Sequence, residues 1–278
     1  MDFVQQAMER FKHRPGNDGP GPQRSAGAAP SAASPVVYTS TRTIELTDDT
    51  MRAQRLITGF EGGPFVDAYK MLRTQVVQQF RQQGWTALGV TSPAAHAGKT
   101  LTAVNLSLAL AMDLTHTVLL VDADLHRPRV HEAFGLTDGQ GLTEYLFDDV
   151  PLRQLLVHPG IGRFVFLPGG RRIRNSAEAL ASPKMAALVH ELKHRYPARL
   201  VVFDMPPILS RADALGFAPH LDALLLVVEE GRTASTDVER AMGMLKGTVP
   251  VLGGVLNKAG RGELTQRRAH EPLMVQAG

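Results

Sequence analysis

From Trp85 onward the chain alternates short, almost continuously apolar runs with amphipathic stretches, and few architectures accept that pattern. The runs are TALGVT (86–91), TVLLVD (117–122), RFVFLP (163–168), LVVFD (200–204), ALLLVV (223–228) and VLGGVLN (251–257). A strand that is apolar on every residue has to be covered on both faces, and helices between successive strands provide the cover. The expectation is an α/β fold whose mostly parallel sheet is flanked by helices on both faces. Connecting helices are expected at Thr100–Leu114, Pro183–Arg195 and Ser235–Leu245. Two more precede the first strand. Residues 46–58 have Thr47 or Asp48 as a cap and Gly59 as a stop, and residues 64–83 align Phe65, Ala68, Leu72, Val76 and Phe80 along one face.

The ends of the 278-residue chain read differently. Residues 1–14 suit a short amphipathic helix, with Phe3, Val4, Met8 and Phe11 near helical spacing. Residues 15–45 begin with a stretch rich in Pro, Gly, Ala and Ser that cannot bury enough apolar area to fold, so they read as a flexible linker. The folded unit is then expected over 46–260, with a flexible tail over 261–278. There is no cysteine, which excludes disulfides and thiolate metal sites and suits a reducing compartment. No apolar run approaches the roughly 20 residues of a membrane-spanning helix, and the first residues lack a signal-peptide core, so a cytoplasmic location is expected. Net charge is +3, with small clusters at Arg171, Arg172, Arg174 and at Arg261, Arg267, Arg268. Such clusters serve phosphate, acidic lipid or nucleic acid, or are simply solvated. The solvated reading is preferred, and nucleic acid is not an expected partner.

The first apolar run ends at Thr91 and leads through SPAAHAGKT into the helical stretch TLTAVNLSLALA. Strand, loop and helix in that order are the setting of a phosphate-binding P-loop. Backbone N–H groups across Ala95, His96, Ala97, Gly98, Lys99, Thr100 and Leu101 would face the phosphates, helped by the helix dipole. The Lys99 ammonium would reach the outer phosphates, and the Thr100 hydroxyl would ligate Mg²⁺. The pattern is incomplete, because Pro93 stands where G-x-x-x-x-G-K-[ST] has its first glycine. Taken alone, GKT could equally be a surface turn. Two further strands end in acids: VLLVDADLHRP supplies Asp122 and Asp124, and LVVFD supplies Asp204. Acids at the carboxyl ends of strands sit at the mouth of an open α/β sheet, where ligands bind, although each could also cap a turn. Asp204 in that setting would hold Mg²⁺ directly or through water.

Through these motifs the chain resembles the bacterial tyrosine kinases of capsule and exopolysaccharide synthesis, within the larger MinD/ParA-like P-loop ATPases. The resemblance runs from about Asp67 to Lys258 through DAYKMLRT (67–74), GVTSPAAHAGKT (89–100), VDADLHRP (121–128), GLTEYL (141–146), LPGG (167–170), SAEAL (176–180), FDMPP (203–207) with Asp213, and GVLNK (254–258). It implies a P-loop NTPase fold and ATP with Mg²⁺ as cofactors. Asp124 and Asp204 would complete the magnesium shell, Asp122 would be the base for a tyrosine hydroxyl, and Asn257 would read the adenine edge. Arg127 would stabilise phosphate charge or support the loop. The helix at DAYKMLRT corresponds to an oligomerisation element, so a homo-oligomer joined through Asp67, Lys70 and Arg73 is implied. An activating membrane polysaccharide co-polymerase is implied too, recruiting the chain to the inner face of the plasma membrane.

The resemblance is not complete. The family commonly ends in a tyrosine cluster, whereas LTQRRAHEPLMVQAG contains none. The tyrosines are Tyr38, Tyr69, Tyr145 and Tyr196, and only Tyr38 falls in an apparently flexible segment. Three readings stay open: a kinase acting on Tyr38 or on another protein, an ATPase switch in the same machinery, and a MinD-like positioning ATPase.

Overall fold

In a computed structural model the structure describes residues 41–57, 62–113, 116–137, 139–194, 199–259 and 274–277. Each apolar run becomes a strand. The strands are β1 (Arg42–Thr43), β2 (Ala87–Thr91), β3 (Thr117–Asp122), β4 (Val157–His158), β5 (Phe164–Leu167), β6 (Arg199–Asp204), β7 (Ala223–Glu229), β8 (Val251–Asn257) and β9 (Met274–Ala277). They form one sheet in the order β1-β4-β5-β3-β6-β2-β7-β8-β9. Neighbours pair in parallel except β4 with β5, which meet antiparallel at Val157 and Phe166.

The helices are α1 (Asp48–Ala53), α2 (Pro64–Gln83), α3 (Lys99–Ala111), α4 (Val130–Ala133), α5 (Leu142–Asp148), α6 (Leu152–Leu155), α7 (Ser176–Leu180), α8 (Pro183–His194), α9 (Asp213–Phe217) and α10 (Ser235–Leu245). Strand side chains alternate between faces, so the central strands feed two cores. Leu88, Val118, Leu120, Phe164 and Val202 pack on one side with Leu72, Val76 and Phe80 of α2 and Val104 and Leu108 of α3. Leu119, Val121, Val165, Val201 and Phe203 pack on the other with Leu188 and Leu192 of α8 and Val238 and Leu245 of α10. Helix α3 lies between the sheet and α2, and its residues from Thr102 to Ala111 are all buried. That is why KTLTAVNLSLALA is apolar nearly all round rather than on one stripe.

The expected arm at 1–14 lies outside the described residues, as do most of the 15–45 and 261–278 segments. Two short pieces of those segments are strands: Arg42–Thr43 pairs with β4, and Met274–Ala277 pairs with β8. Helix α2 starts with Pro64 in its first turn and stops at Gly84, whose φ of +71 closes the helix. Along it, Asp67 and Lys70 are exposed and pair with each other at 3.5 Å. Arg73 instead turns inward, and its Nη1 donates to the Ala109 carbonyl near the end of α3 at 3.3 Å. Among the described residues no helix is long and apolar enough to cross a membrane.

Candidate nucleotide site

Strands β2, β3 and β6 are neighbours and parallel, so their carboxyl ends emerge together at one edge. The loop 92–98 leaves β2 there, Asp122 and Asp124 leave β3, and Asp204 ends β6. Backbone bonds stitch the loop to the chain after β6: Ile208 N–H donates to the Ser92 carbonyl at 2.9 Å, and Leu209 N–H to the Pro93 carbonyl at 3.1 Å. At that position Pro93 serves as an acceptor and needs no N–H.

The far end of the loop is held from β8. Asn257 Nδ2 donates to the Ala97 carbonyl at 2.8 Å, and Lys258 Nζ donates to the His96 carbonyl at 2.9 Å. Lys258 also lies 3.0 Å from Glu229 Oε1, and this hydrogen bond holds the Glu229 carboxyl below the usual carboxylate range. Gly98 precedes α3 with φ +92, and a Cβ there would stand 2.0 Å from Asn257 Nδ2. Glycine is therefore required twice, by backbone conformation and by the closeness of Asn257.

Lys99 is the centre of the polar cluster. Its Nζ lies 2.9 Å from Asp124 Oδ2 and 3.2 Å from Asp204 Oδ1. Thr100 Oγ1 donates to Asp204 Oδ2 at 2.6 Å. Burial alone would lower the Lys99 pKa, but the carboxylates of Asp204 and Asp124 outweigh it and raise it. For Asp204 burial is the larger influence and raises the pKa, against the Lys99 charge and the Thr100 hydroxyl.

Asp122 is enclosed in a different way. Its Oδ2 accepts the N–H groups of Arg129 at 2.8 Å and Val130 at 2.9 Å, and its Oδ1 accepts the N–H of Asp124 at 3.2 Å. The carboxylate thus ties the loop after β3 into a closed turn leading to α4. It is fully buried. Its Cα pairs in register with that of Asp204. Burial pushes its carboxyl up to about 8, with Asp204 adding to the rise and the Val130 N–H and Lys99 opposing it.

A cavity of about 470 Å³ opens over this edge, lined by Ala95, His96, Gly98, Lys99, Thr100 and Asp124. The expected Arg127 lines it as well. Asp204 lies directly beneath, bonded to both Lys99 and Thr100. Besides Asp204, four expected contacts do not reach the lining. Asp122 is occupied by backbone N–H groups, Asn257 by the loop carbonyl, Ala97 is buried under the loop, and Leu101 already belongs to α3. The structure adds His126, Arg129, Pro206, Pro207, Ser210 and Arg211. Pro206 and Pro207 belong to the quoted FDMPP run, whereas Arg211 meets His126 across 85 residues of sequence, a proximity no local pattern records.

No protein-family model matches the chain. Tyrosine-protein kinase YwqD of Bacillus subtilis is 32% identical over 192 residues, covering 69% of this chain and 80% of that protein. The chain belongs to the bacterial tyrosine kinase family. Another family relative, the succinoglycan biosynthesis transport protein ExoP of Rhizobium meliloti, is 28% identical over 229 residues, 79% of this chain but only 28% of ExoP. Among solved structures, the kinase domain of Escherichia coli tyrosine kinase ETK superposes with a TM-score of 0.67 at 25% identity, covering 84% of this chain and 94% of that domain. MinD of Pyrococcus horikoshii, complexed with Mg-ADP, superposes with a TM-score of 0.53 at 26% identity over 64% of this chain and 72% of that one. The family thus sits within the MinD-like P-loop NTPases, and its fold is a nucleotide-binding one.

The donor set suits a magnesium nucleotide. The Lys99 ammonium is a stand-in cation: Asp124, Asp204 and Thr100 already hold a positive charge at one point. Their oxygens are the hard donors that Mg²⁺ takes, usually one or two carboxylates completed by phosphate and water. Among the described residues no group of three or more His, Cys, Asp or Glu is placed to hold a metal by itself.

Proposed function

We propose that the chain is an ATP- and Mg²⁺-dependent protein-tyrosine kinase serving exopolysaccharide assembly or export. The observation that carries this is the constellation of the Gly98–Thr100 loop end with Asp124 and Asp204 around Lys99. Its relatives support the assignment, YwqD by its kinase name and ExoP by succinoglycan biosynthesis. When bound, magnesium would neutralise phosphate charge during transfer. The chain's own residues supply the rest. The loop N–H groups and the α3 N-terminus receive phosphate oxygens. Lys99 would reach the outer phosphates, and Thr100 with Asp204 and Asp124 would hold the metal. Asp122 holds the loop that carries Asp124 and Arg127, which makes it a positioning residue, and Arg127 faces the transferred group from that loop. Asn257 and Lys258 hold the phosphate loop in shape.

The acceptor is a tyrosine outside the folded core. Tyr69 is buried and burial pushes its phenol up to about 12, so it is no acceptor in the folded chain. A membrane polysaccharide co-polymerase is the proposed activator, bringing the chain to the inner face of the plasma membrane, and α2 with Asp67 and Lys70 is the proposed contact between copies. An ATPase switch without kinase activity is the second reading, favoured by the burial of Tyr69.

Incubation with γ-labelled ATP, with and without a co-polymerase tail, tests the proposal. Label on protein tyrosine is expected, and free phosphate as the only labelled product would support the switch. Lys99→Met should abolish either product, and turnover that survived it would place the chemistry elsewhere.

A further inference from the structure

At the exposed rim of the cavity the cations outnumber their acidic partners among the described residues, Glu132 beside Arg129. Among the described residues Asp124 is the only acid in the lining, and Lys99 already pairs with it at 2.9 Å. Three further cations line the rim: Arg127, Arg129 and Arg211. All three are exposed, in contrast to Lys99 and Asp124, whose side chains are 11% and 8% exposed. Arg129 has a loose partner in Glu132 at 3.8 Å, outside the lining. Arg211 Nη2 lies 2.8 Å from His126 Nε2, a neighbour that brings it no carboxylate. A nucleotide triphosphate engages the base, where the loop N–H groups, Lys99 and Thr100 lie. The three guanidinium groups lie at exposed positions around that base.

We propose that this rim, Arg127, Arg129 and Arg211 with His126, selects acceptor tyrosines that are flanked by acidic residues. The inference rests on the kinase reading and names its substrate class. Guanidinium groups accept carboxylates in paired, planar hydrogen bonds. At exposed positions each such contact is weak and screened by salt, which suits selection and steering rather than tight retention. The rim comes from two separate elements, the loop after β3 and the loop after β6, so a bound peptide would lie across the mouth of the cavity with its tyrosine directed toward Asp124.

The test uses the full chain and two labelled tyrosine peptides, identical except that Asp and Glu beside the tyrosine in one are Asn and Gln in the other. Binding is read by fluorescence anisotropy at low and high salt. The acidic peptide should bind about tenfold more tightly at low salt, the sum of a few exposed ionic contacts of up to about 1 kcal/mol each, and high salt should erase most of the difference. The double variant R129Q/R211Q should bring the ratio close to one, while Arg240→Gln, on the distant surface of α10, should leave the preference intact. Equal affinities for the two peptides, or a preference that survives R129Q/R211Q, overturns the proposal. So does a single-stranded oligonucleotide that displaces the acidic peptide at lower concentration than the peptide itself, since the rim would then be a nucleic-acid site. Anisotropy needs no turnover: transfer without preference sinks the substrate class, whereas preference without transfer sinks the kinase reading.

Discussion

Replacing Gly98 with alanine should damage the phosphate loop mainly through Asn257, and a double-mutant cycle can isolate that route. The new Cβ would stand 2.0 Å from Asn257 Nδ2 and 3.3 Å from its Cγ. The amide has to leave, and its 2.8 Å bond to the Ala97 carbonyl goes with it. A left-handed alanine costs about 1 kcal/mol in backbone strain, and an unpaired buried carbonyl costs about 2 kcal/mol. Gly98→Ala should therefore destabilise the chain by about 3 kcal/mol, and Asn257→Ala, which removes the same bond without strain, by about 2 kcal/mol. In the double variant the bond is lost once and the clash has no target. Its expected cost is about 3 kcal/mol rather than the additive 5, a coupling of about 2 kcal/mol against the roughly 0.5 kcal/mol seen for independent sites. Urea denaturation of the four proteins measures it. A double variant within about 0.5 kcal/mol of the additive sum would refute the reasoning.

Other consequences can be checked separately. With Asp122 held up at about 8 in the folded chain and near 4 when unfolded, the folded state keeps a proton that the unfolded state has lost between about pH 4 and 8. Asp122 therefore makes stability fall as pH rises through that window. Asp122→Asn should flatten the urea midpoint between about pH 5 and 8, and an unchanged slope would show that the carboxyl does not titrate there. Lys258→Ala releases the His96 carbonyl, yet its side chain is 46% exposed. Stability should drop by less than about 1 kcal/mol while Mg-ATP affinity, by calorimetry, falls about threefold; unaltered affinity would mean that the loop keeps its shape without the lysine.

The central strands and longer helices were legible because continuous apolar runs and helical stripes report burial directly. Pro64 and Gly84 mark α2 at both ends, and α10 is found at the expected Ser235–Leu245. The expected helix over 46–58 is shorter, Asp48–Ala53, because Arg55 turns to φ +53 and sends Leu56 and Ile57 into the core. Strands β1 and β4 are two residues each and too brief to show any period. Acids at strand ends pointed to the sheet edge over which the cavity opens. What their side chains do was not legible: Asp122 bonds backbone groups seven and eight residues on, and Asn257 bonds a carbonyl 160 residues away. Arg129 and Arg211 gave no local signal, because their common cavity exists only once β3 and β6 lie side by side.

Because the Lys99 ammonium already lies between Asp124 and Asp204, the proposed nucleotide capture would be an exchange rather than an addition. The acids bring their own counter-ion, so the folded chain does not depend on a metal to relieve their repulsion. Magnesium arriving alone would have to evict that ammonium with nothing to receive it, whereas magnesium arriving with a triphosphate offers Lys99 a new anion as it gives up the old ones. Metal and nucleotide should therefore load together, and when they leave, the lysine returns and resets the site.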